Sequence, residues 1–206
     1  MTRDPINRRL GVLVSGRGTN LQSLIDAIGD GRLDASIAVV ISNRADAGAL
    51  GRAGAASIES LCLSHKGWPS REDYDRALVR ELQVRDVGLV CLAGFMRIFS
   101  APMLEAFPNA ILNIHPALLP SFPGLHPQRQ ALEHGVKVSG VTVHLVTAEL
   151  DGVPIVVQRT VPVLDSDTEE TLAARILVEE HVAYPDAVRM VLDGGWKVEG
   201  RRFVRL

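Results

Sequence analysis

Leu10-Gly-Val-Leu-Val-Ser15 runs without a break into Gly16-Arg17-Gly18, and Thr19-Asn20-Leu21-Gln-Ser-Leu24-Ile25 follows at once. A continuous apolar run of this length reads as a strand buried on both faces, as in a parallel sheet. From Thr19 to Ile28 the apolar residues Leu21, Leu24, Ile25 and Ile28 share one helical face. Strand, glycine-rich turn and helix in this order open a βαβ unit and set the expected fold class, α/β.

The same alternation continues outward. The pattern predicts strands at Ile37 to Ser42, Ser60 to Leu63 and Gly88 to Ala93, with a Gly- and Ala-rich helix over 47–56 and a helix from Ser70 to about Val84. Asp73 stands in the capping-box position after Ser70. After Gly94 the rhythm changes: a short helix near 101–107, a strand from Ala110 to His115, and a loop over 116–127 in which four prolines forbid regular structure. A helix over 128–134 and strands over 141–147 and 154–162 come next. Ser166-x-x-Glu169 reads as a capping box opening a long helix to about Leu192, kinked or split at Pro185, and 196–206 alternates around Gly200 as an edge hairpin. The expectation is an open, mostly parallel twisted sheet with helices on both faces, antiparallel strands in its C-terminal part, and one domain over 1–206.

With 206 residues, 47% hydrophobic and 22% charged, the chain has the composition of a soluble globular domain. That length buries roughly 70% of the unfolded surface and requires neither disulfide nor structural metal. Cys62 and Cys91 have no metal-ligand spacing and are expected as buried, reduced thiols in a cytoplasmic protein. The net charge of -2, with both signs interspersed, excludes a typical nucleic-acid binder. No apolar run reaches membrane-spanning length.

Two segments carry chemistry. The turn Ser15 to Asn20 aims backbone N–H groups and a helix dipole at one spot, which suits a phosphate. It lacks both the third glycine of a dinucleotide fingerprint and the Lys of a P-loop, so a plain strand-to-helix turn is an equal reading. In Asn113-Ile-His115-Pro116 the two polar residues lie two apart and project from one face of a strand. Ligands of open α/β sheets bind at the carboxyl ends of strands, so this pair and the glycine turn belong on one edge. The alternative is that Asn113 and His115 tie down the proline loop. Asp151-Gly152 alone reads as hairpin chemistry, and His126, His144 and Glu180 alone read as structural.

Taken together, Ser15-Gly-Arg-Gly-Thr-Asn-Leu-Gln22, Ser42-Asn-Arg-Ala-Asp-Ala47, Leu92-Ala-Gly-Phe-Met-Arg-Ile98, Asn113-Ile-His-Pro116, Leu118-Leu-Pro120, Pro123-Gly-Leu-His126 and Glu149-Leu-Asp-Gly152 occur in this order. The set resembles the phosphoribosylglycinamide formyltransferase family, the folate-dependent transformylases of purine synthesis with a Rossmann-like fold, from the first strand through about Arg189. The resemblance implies a catalytic group of Asn113, His115 and Asp151. It implies ribonucleotide contacts at Gly18, Thr19, Asn20 and Glu180. Folate contacts fall on Arg71, on Met96, Arg97, Ile98 and Phe99, on Asn113, and on Thr147, Ala148, Glu149, Leu150 and Asp151. Ala117 stands where many relatives have Ser, which touches a local hydrogen bond and not the chemistry.

The implied reaction moves a formyl group from 10-formyltetrahydrofolate, as cosubstrate, to the amine of glycinamide ribonucleotide. An oxyanion forms and needs hydrogen-bond donors, which Asn113 and His115 supply without a metal. The expected partners are these two small molecules, with no nucleic acid or membrane, for a monomer or homodimer. Methionyl-tRNA formyltransferase and formyltetrahydrofolate hydrolase resemble the chain around Asn-x-His, but each carries an additional domain for which 206 residues leave no room. A non-catalytic nucleotide-binding module would use the glycine turn and leave Asn113, His115 and Asp151 without a task.

Overall fold

The computed structural model describes residues 6–147 and 154–206. The chain runs β1 (Arg9–Val14), α1 (Thr19–Gly29), β2 (Ser36–Ser42), α2 (Gly48–Ala55), β3 (Ser60–Cys62), α3 (Arg71–Gln83), β4 (Leu89–Leu92), α4 (Ala101–Ala106), β5 (Ile111–His115), α5 (Pro127–Glu133), β6 (Val138–Leu145), β7 (Ile155–Pro162), α6 (Glu169–Leu192), β8 (Trp196–Glu199) and β9 (Arg202–Arg205). These strands form one sheet in the order β3-β2-β1-β4-β5-β6-β7-β9-β8. Pairing is parallel from β3 through β5 and antiparallel at β5–β6 and β6–β7.

This order follows from the apolar runs. β1 buries Leu10 to Val14 and β4 buries Leu89 to Leu92, so each needs a strand on either side and a cover on either face. From β1 the chain steps outward through α1 to β2 and through α2 to β3, then returns by α3 to β4 on the other side of β1. Right-handed crossovers place α1 and α2 on one face and α3 on the opposite one. The strand order therefore reverses between β1 and β4, which is where an open α/β sheet has its crevice. α6 packs on α1 and on β6 and β7, while α3 packs on α4.

Three expectations are corrected. The long helix starts at Thr168, whose hydroxyl accepts from the Thr171 amide while Thr171 Oγ1 accepts from the Thr168 amide. Ser166 does not cap it, because the Asp167 carboxylate takes the Leu164 amide and closes a turn first. Pro185 does not split α6, which runs on through buried Ala183, Tyr184, Ala187 and Val188. Tyr184 donates its hydroxyl proton to the Leu92 carbonyl at 2.8 Å and fixes the helix over β4. Finally, Cys62 is exposed and only Cys91 is buried, since three-residue β3 lies at the sheet edge.

The other boundaries agree within a few residues. β6 begins three residues before the expected 141, because Ser139 and Gly140 pair with Val161 and Thr160 without contributing to an apolar pattern. The tail hairpin forms around Gly200 and joins the sheet where Ile155 of β7 pairs with Arg202 of β9. No helix among the described residues is long and apolar enough to cross a membrane.

Candidate active site

The glycine turn leaves β1 at the switch point. Gly18 is the N-cap of α1 in the left-handed region at φ 74, and no side chain caps the helix. The turn's carbonyls are held from behind: Gly16 accepts from the Ala49 amide at 3.1 Å, and Arg17 from Arg52 Nε at 2.9 Å. With carbonyls tied toward α2 and the first amides of α1 uncapped, the turn presents donors and the positive end of a dipole. Gly18 is buried against Ala49, so only a residue without Cβ fits.

Asn20 and Glu180, 160 residues apart, meet beside this turn. Asn20 Nδ2 donates to Glu180 Oε2 at 2.6 Å, and Asn20 Oδ1 is buried without a partner among the described residues. Burial pushes the Glu180 carboxyl up, and the bond from Asn20 pulls it part of the way back. His181, which the sequence reading passed over, follows Glu180 and has a buried Nε2 without a hydrogen-bond partner among the described residues. Burial lowers the His181 pKa, nearby Asp26 opposes this and Arg52 adds to it. Its signal is the neighbourhood of α1 and α2, which exists only in three dimensions.

The second half of the site is a cleft of about 640 Å³ over the carboxyl ends of β4 and β5. Asn113 and His115 at the end of β5 both line it. Met96, Arg97, Ile98 and Phe99 form one wall with Thr147 nearby, and Gly124 to Gln128 form another. Phe95 and Phe99 are buried and stack at 5.8 Å, which turns Met96 and Ile98 outward. Arg97 lies over the Tyr74 ring at 5.3 Å. Arg71 is exposed at the first position of α3 and is not among the residues that line the cleft. Ala148, Glu149, Leu150 and Asp151 lie outside the described residues.

Each member of the polar pair is oriented by a neighbour. Asn113 stands opposite His144 in the β5–β6 pairing, with Nδ2 3.2 Å from His144 Nε2. His144 Nδ1 faces the Leu145 carbonyl at 3.2 Å, and a carbonyl only accepts. A proton on Nδ1, with Nε2 accepting from the Asn113 amide, satisfies both of these contacts. A register shift against β7 at Val143/His144 places a bulge beside the site. His115, 6% exposed, has Nε2 2.8 Å from the Phe122 carbonyl and therefore carries a proton there.

The proline loop is shaped by hydrogen bonds from behind. Thr142 Oγ1 donates to the Ala117 carbonyl and accepts from the Leu119 amide, and Gln158 Nε2 donates to the Leu119 carbonyl. Ala117 is fully buried, so its side chain faces packing while its backbone makes the bonds. Among the described residues no group of three or more His, Cys, Asp or Glu is placed to hold a metal ion.

An uncapped helix N-terminus at the switch point of an α/β sheet, and a cleft at the same sheet edge lined by the polar pair Asn113 and His115, are the features of an α/β enzyme that binds small molecules. Residues 8–188 match the formyl transferase family, and the chain belongs to it. It is 44% identical over 187 residues to the phosphoribosylglycinamide formyltransferase of Escherichia coli K12, covering 91% of this chain and 88% of that protein. It is 50% identical over 189 residues to the trifunctional purine biosynthetic protein adenosine-3 of Drosophila pseudoobscura pseudoobscura, covering 91% of this chain but spanning only 14% of that protein's length. The crystal structure of glycinamide ribonucleotide transformylase 1 from Symbiobacterium toebii superposes with a TM-score of 0.95 at 56% identity, covering 97% of this chain and 94% of that one.

Proposed function

We propose that this chain transfers the formyl group of 10-formyltetrahydrofolate to the amine of glycinamide ribonucleotide, a step of purine synthesis. The observation that carries the reading is the placement of Asn113 and His115, both donors, at the edge of the cleft beside the uncapped glycine turn. The turn, with Gly18, Thr19 and Asn20, receives the phosphate and ribose. Glu180, bonded to Asn20 beside the turn, contacts the same substrate. The apolar wall from Met96 to Phe99 and the segment from Thr147 through Asp151 take the folate, with Arg71 reaching its acidic end.

The amine nitrogen attacks the formyl carbon, and the carbonyl pair moves onto oxygen. One N–H of the Asn113 amide is used by His144, which leaves the second for that oxyanion. The His115 Nε2–H, which faces the Phe122 carbonyl here, supplies a second donor once the loop yields to substrate. Collapse of the intermediate breaks the bond to the folate nitrogen, and the proton lost by the amine ends on that nitrogen. Asp151 steadies the imidazole during this exchange. A neutral amine is already a nucleophile, so the reaction needs neither metal nor ATP.

Purified protein should release tetrahydrofolate from 10-formyltetrahydrofolate only when glycinamide ribonucleotide is added, and equally in chelator. Steady turnover of the folate alone would make the chain a hydrolase instead. Binding of both ligands without transfer would reduce it to a binding module.

A further inference from the structure

The glycine turn and the folate-side wall belong to different strands, yet one side chain joins them. Ser15 follows β1, which lies between β2 and β4 in the sheet. Its hydroxyl donates to Asn43 Oδ1 at 2.7 Å, just past β2, and accepts from the Met96 amide at 3.1 Å, just past β4. Asn43 Nδ2 in turn faces His65 Nδ1 at 3.3 Å, just past β3. Ser15 and Asn43 are each 7% exposed, so these groups have little access to water in place of one another.

The wall has few other restraints on its backbone. Among the described residues, the Met96 amide is the only backbone group of 94–99 that makes a hydrogen bond. On either side the chain is pinned where the Ala93 amide meets the Leu13 carbonyl and the Ser100 amide meets Asp75. Phe95 and Phe99 anchor side chains, so the bond to Ser15 is what fixes the peptide plane at Met96.

We propose that Ser15 is a positioning residue that holds the cleft wall at Met96 in register with the glycine turn, so that the two substrates meet at the right depth. The inference rests on the assignment of 94–99 to the folate. Loss of the hydroxyl leaves the Met96 amide and Asn43 Oδ1 unpaired at once, and the wall pays for this before it can close on a ligand.

The test compares Ser15→Ala, Ser15→Thr and wild type by amide exchange at Met96 and by steady-state kinetics in each substrate. In Ser15→Ala, Met96 exchange should quicken and the KM for 10-formyltetrahydrofolate rise, each by about tenfold, the equivalent of about 1.4 kcal/mol. The ribonucleotide KM should stay within about twofold and kcat within about threefold, since no group touching the reacting atoms is removed. Ser15→Thr, which keeps the hydroxyl, should restore both readouts. If Ser15→Ala does not fold, Ser15→Cys supplies a side chain of similar size with a poor acceptor. Unchanged Met96 exchange, an unchanged folate KM, or an equal rise in both KM values overturns the proposal. Absence of transfer in the wild type would instead overturn the reading of the site, and no variant is needed to see it.

Discussion

Asn113 Nδ2 lies 3.2 Å from His144 Nε2 across the β5–β6 pair, and the opposite side of the His144 ring faces a backbone carbonyl. The amide is thereby fixed in one orientation before any substrate arrives. A donor held in this way costs no reorganisation when an oxyanion develops, which is what the role proposed for Asn113 requires.

Removal of the donor and removal of its support should differ in size. Asn113→Ala should lower kcat by at least about a hundredfold, the scale of one oxyanion donor. His144→Phe should lower it by roughly tenfold, because the amide remains but is no longer held. The double variant should be no slower than Asn113→Ala alone, since the two act as one unit. Additive losses in a kinetic cycle would show that His144 acts independently of Asn113.

His115→Ala should also cost at least about a hundredfold in kcat, while the fold persists because the ring sits at a ligand-facing edge. The lost bond to the Phe122 carbonyl should loosen the proline loop, so the 116–126 segment should become more susceptible to limited proteolysis. Asp151→Asn should likewise reduce kcat severely. Near-normal turnover in the His115 variant would remove it from the catalytic group.

Glu180 is a buried carboxyl whose ionisation opposes folding. Its folded pKa is raised by burial, so the fold binds its proton more tightly than the unfolded chain does. The stabilising contribution is complete below the unfolded carboxylate range and is lost as pH rises through the folded value. Glu180→Gln is never ionised and should therefore gain in melting temperature relative to wild type as the pH moves from about 4 toward neutrality. The same variant should raise the ribonucleotide KM by at least about tenfold, the value of a charge-assisted contact, with the folate KM unchanged. Parallel melting curves at all pH values would contradict the assignment.

Much of this site was legible in the sequence because its parts are local. The strand at 10–15, the glycine turn and the helix after it announce themselves by composition, as does the two-residue spacing of Asn113 and His115. The Ser70 cap was legible too, with the Asp73 amide donating to Ser70 Oγ at the expected spacing. Contacts that depend on strand pairing were not legible. His144 meets Asn113 only through the antiparallel register, and Ser15 meets Met96 only because β1 and β4 are neighbours. The start of α6 was missed because Asp167 offers a competing turn, and sequence spacing does not rank two overlapping caps.

That competing turn has its own consequence. Arg175 donates to Asp167 through both Nη1 and Nη2, at 2.7 and 2.9 Å, and the Leu164 amide and Thr171 hydroxyl donate to the same carboxylate. The Arg175 bonds hold the carboxyl well below the usual carboxylate range, with the Leu164 amide second. Stability from this group is therefore present above the unfolded carboxylate pKa and is lost as pH falls below it. Asp167→Asn should lower the melting temperature at neutral pH, and the difference from wild type should shrink toward low pH. A difference that is constant down to strong acid would show that Arg175 contributes no charge effect.

The last prediction concerns the two glycines of the turn, Gly16 and Gly18, which composition alone does not distinguish. A Cβ on Gly18 would lie 2.6 Å from Ala49 Cβ and 2.7 Å from Ala49 Cα, at a φ of 74 that side chains resist. Gly16 has nothing within 4 Å of the same construction. Gly18→Ala should therefore destabilise the protein by about 1–3 kcal/mol through strain and overpacking. Gly16→Ala should stay within about 0.5 kcal/mol, as for an exposed site without special contacts. Because Gly18 caps α1, its displacement also moves the amides proposed to bind phosphate, so the ribonucleotide KM should rise while the folate KM is spared. Ala49→Gly in the Gly18→Ala background removes the Cβ conflict but not the Cα one, so it should restore stability only in part. Melting curves and kinetics on the same four proteins separate the two effects. A stable Gly18→Ala enzyme with a normal ribonucleotide KM would refute both the packing argument and the phosphate-binding role of the turn.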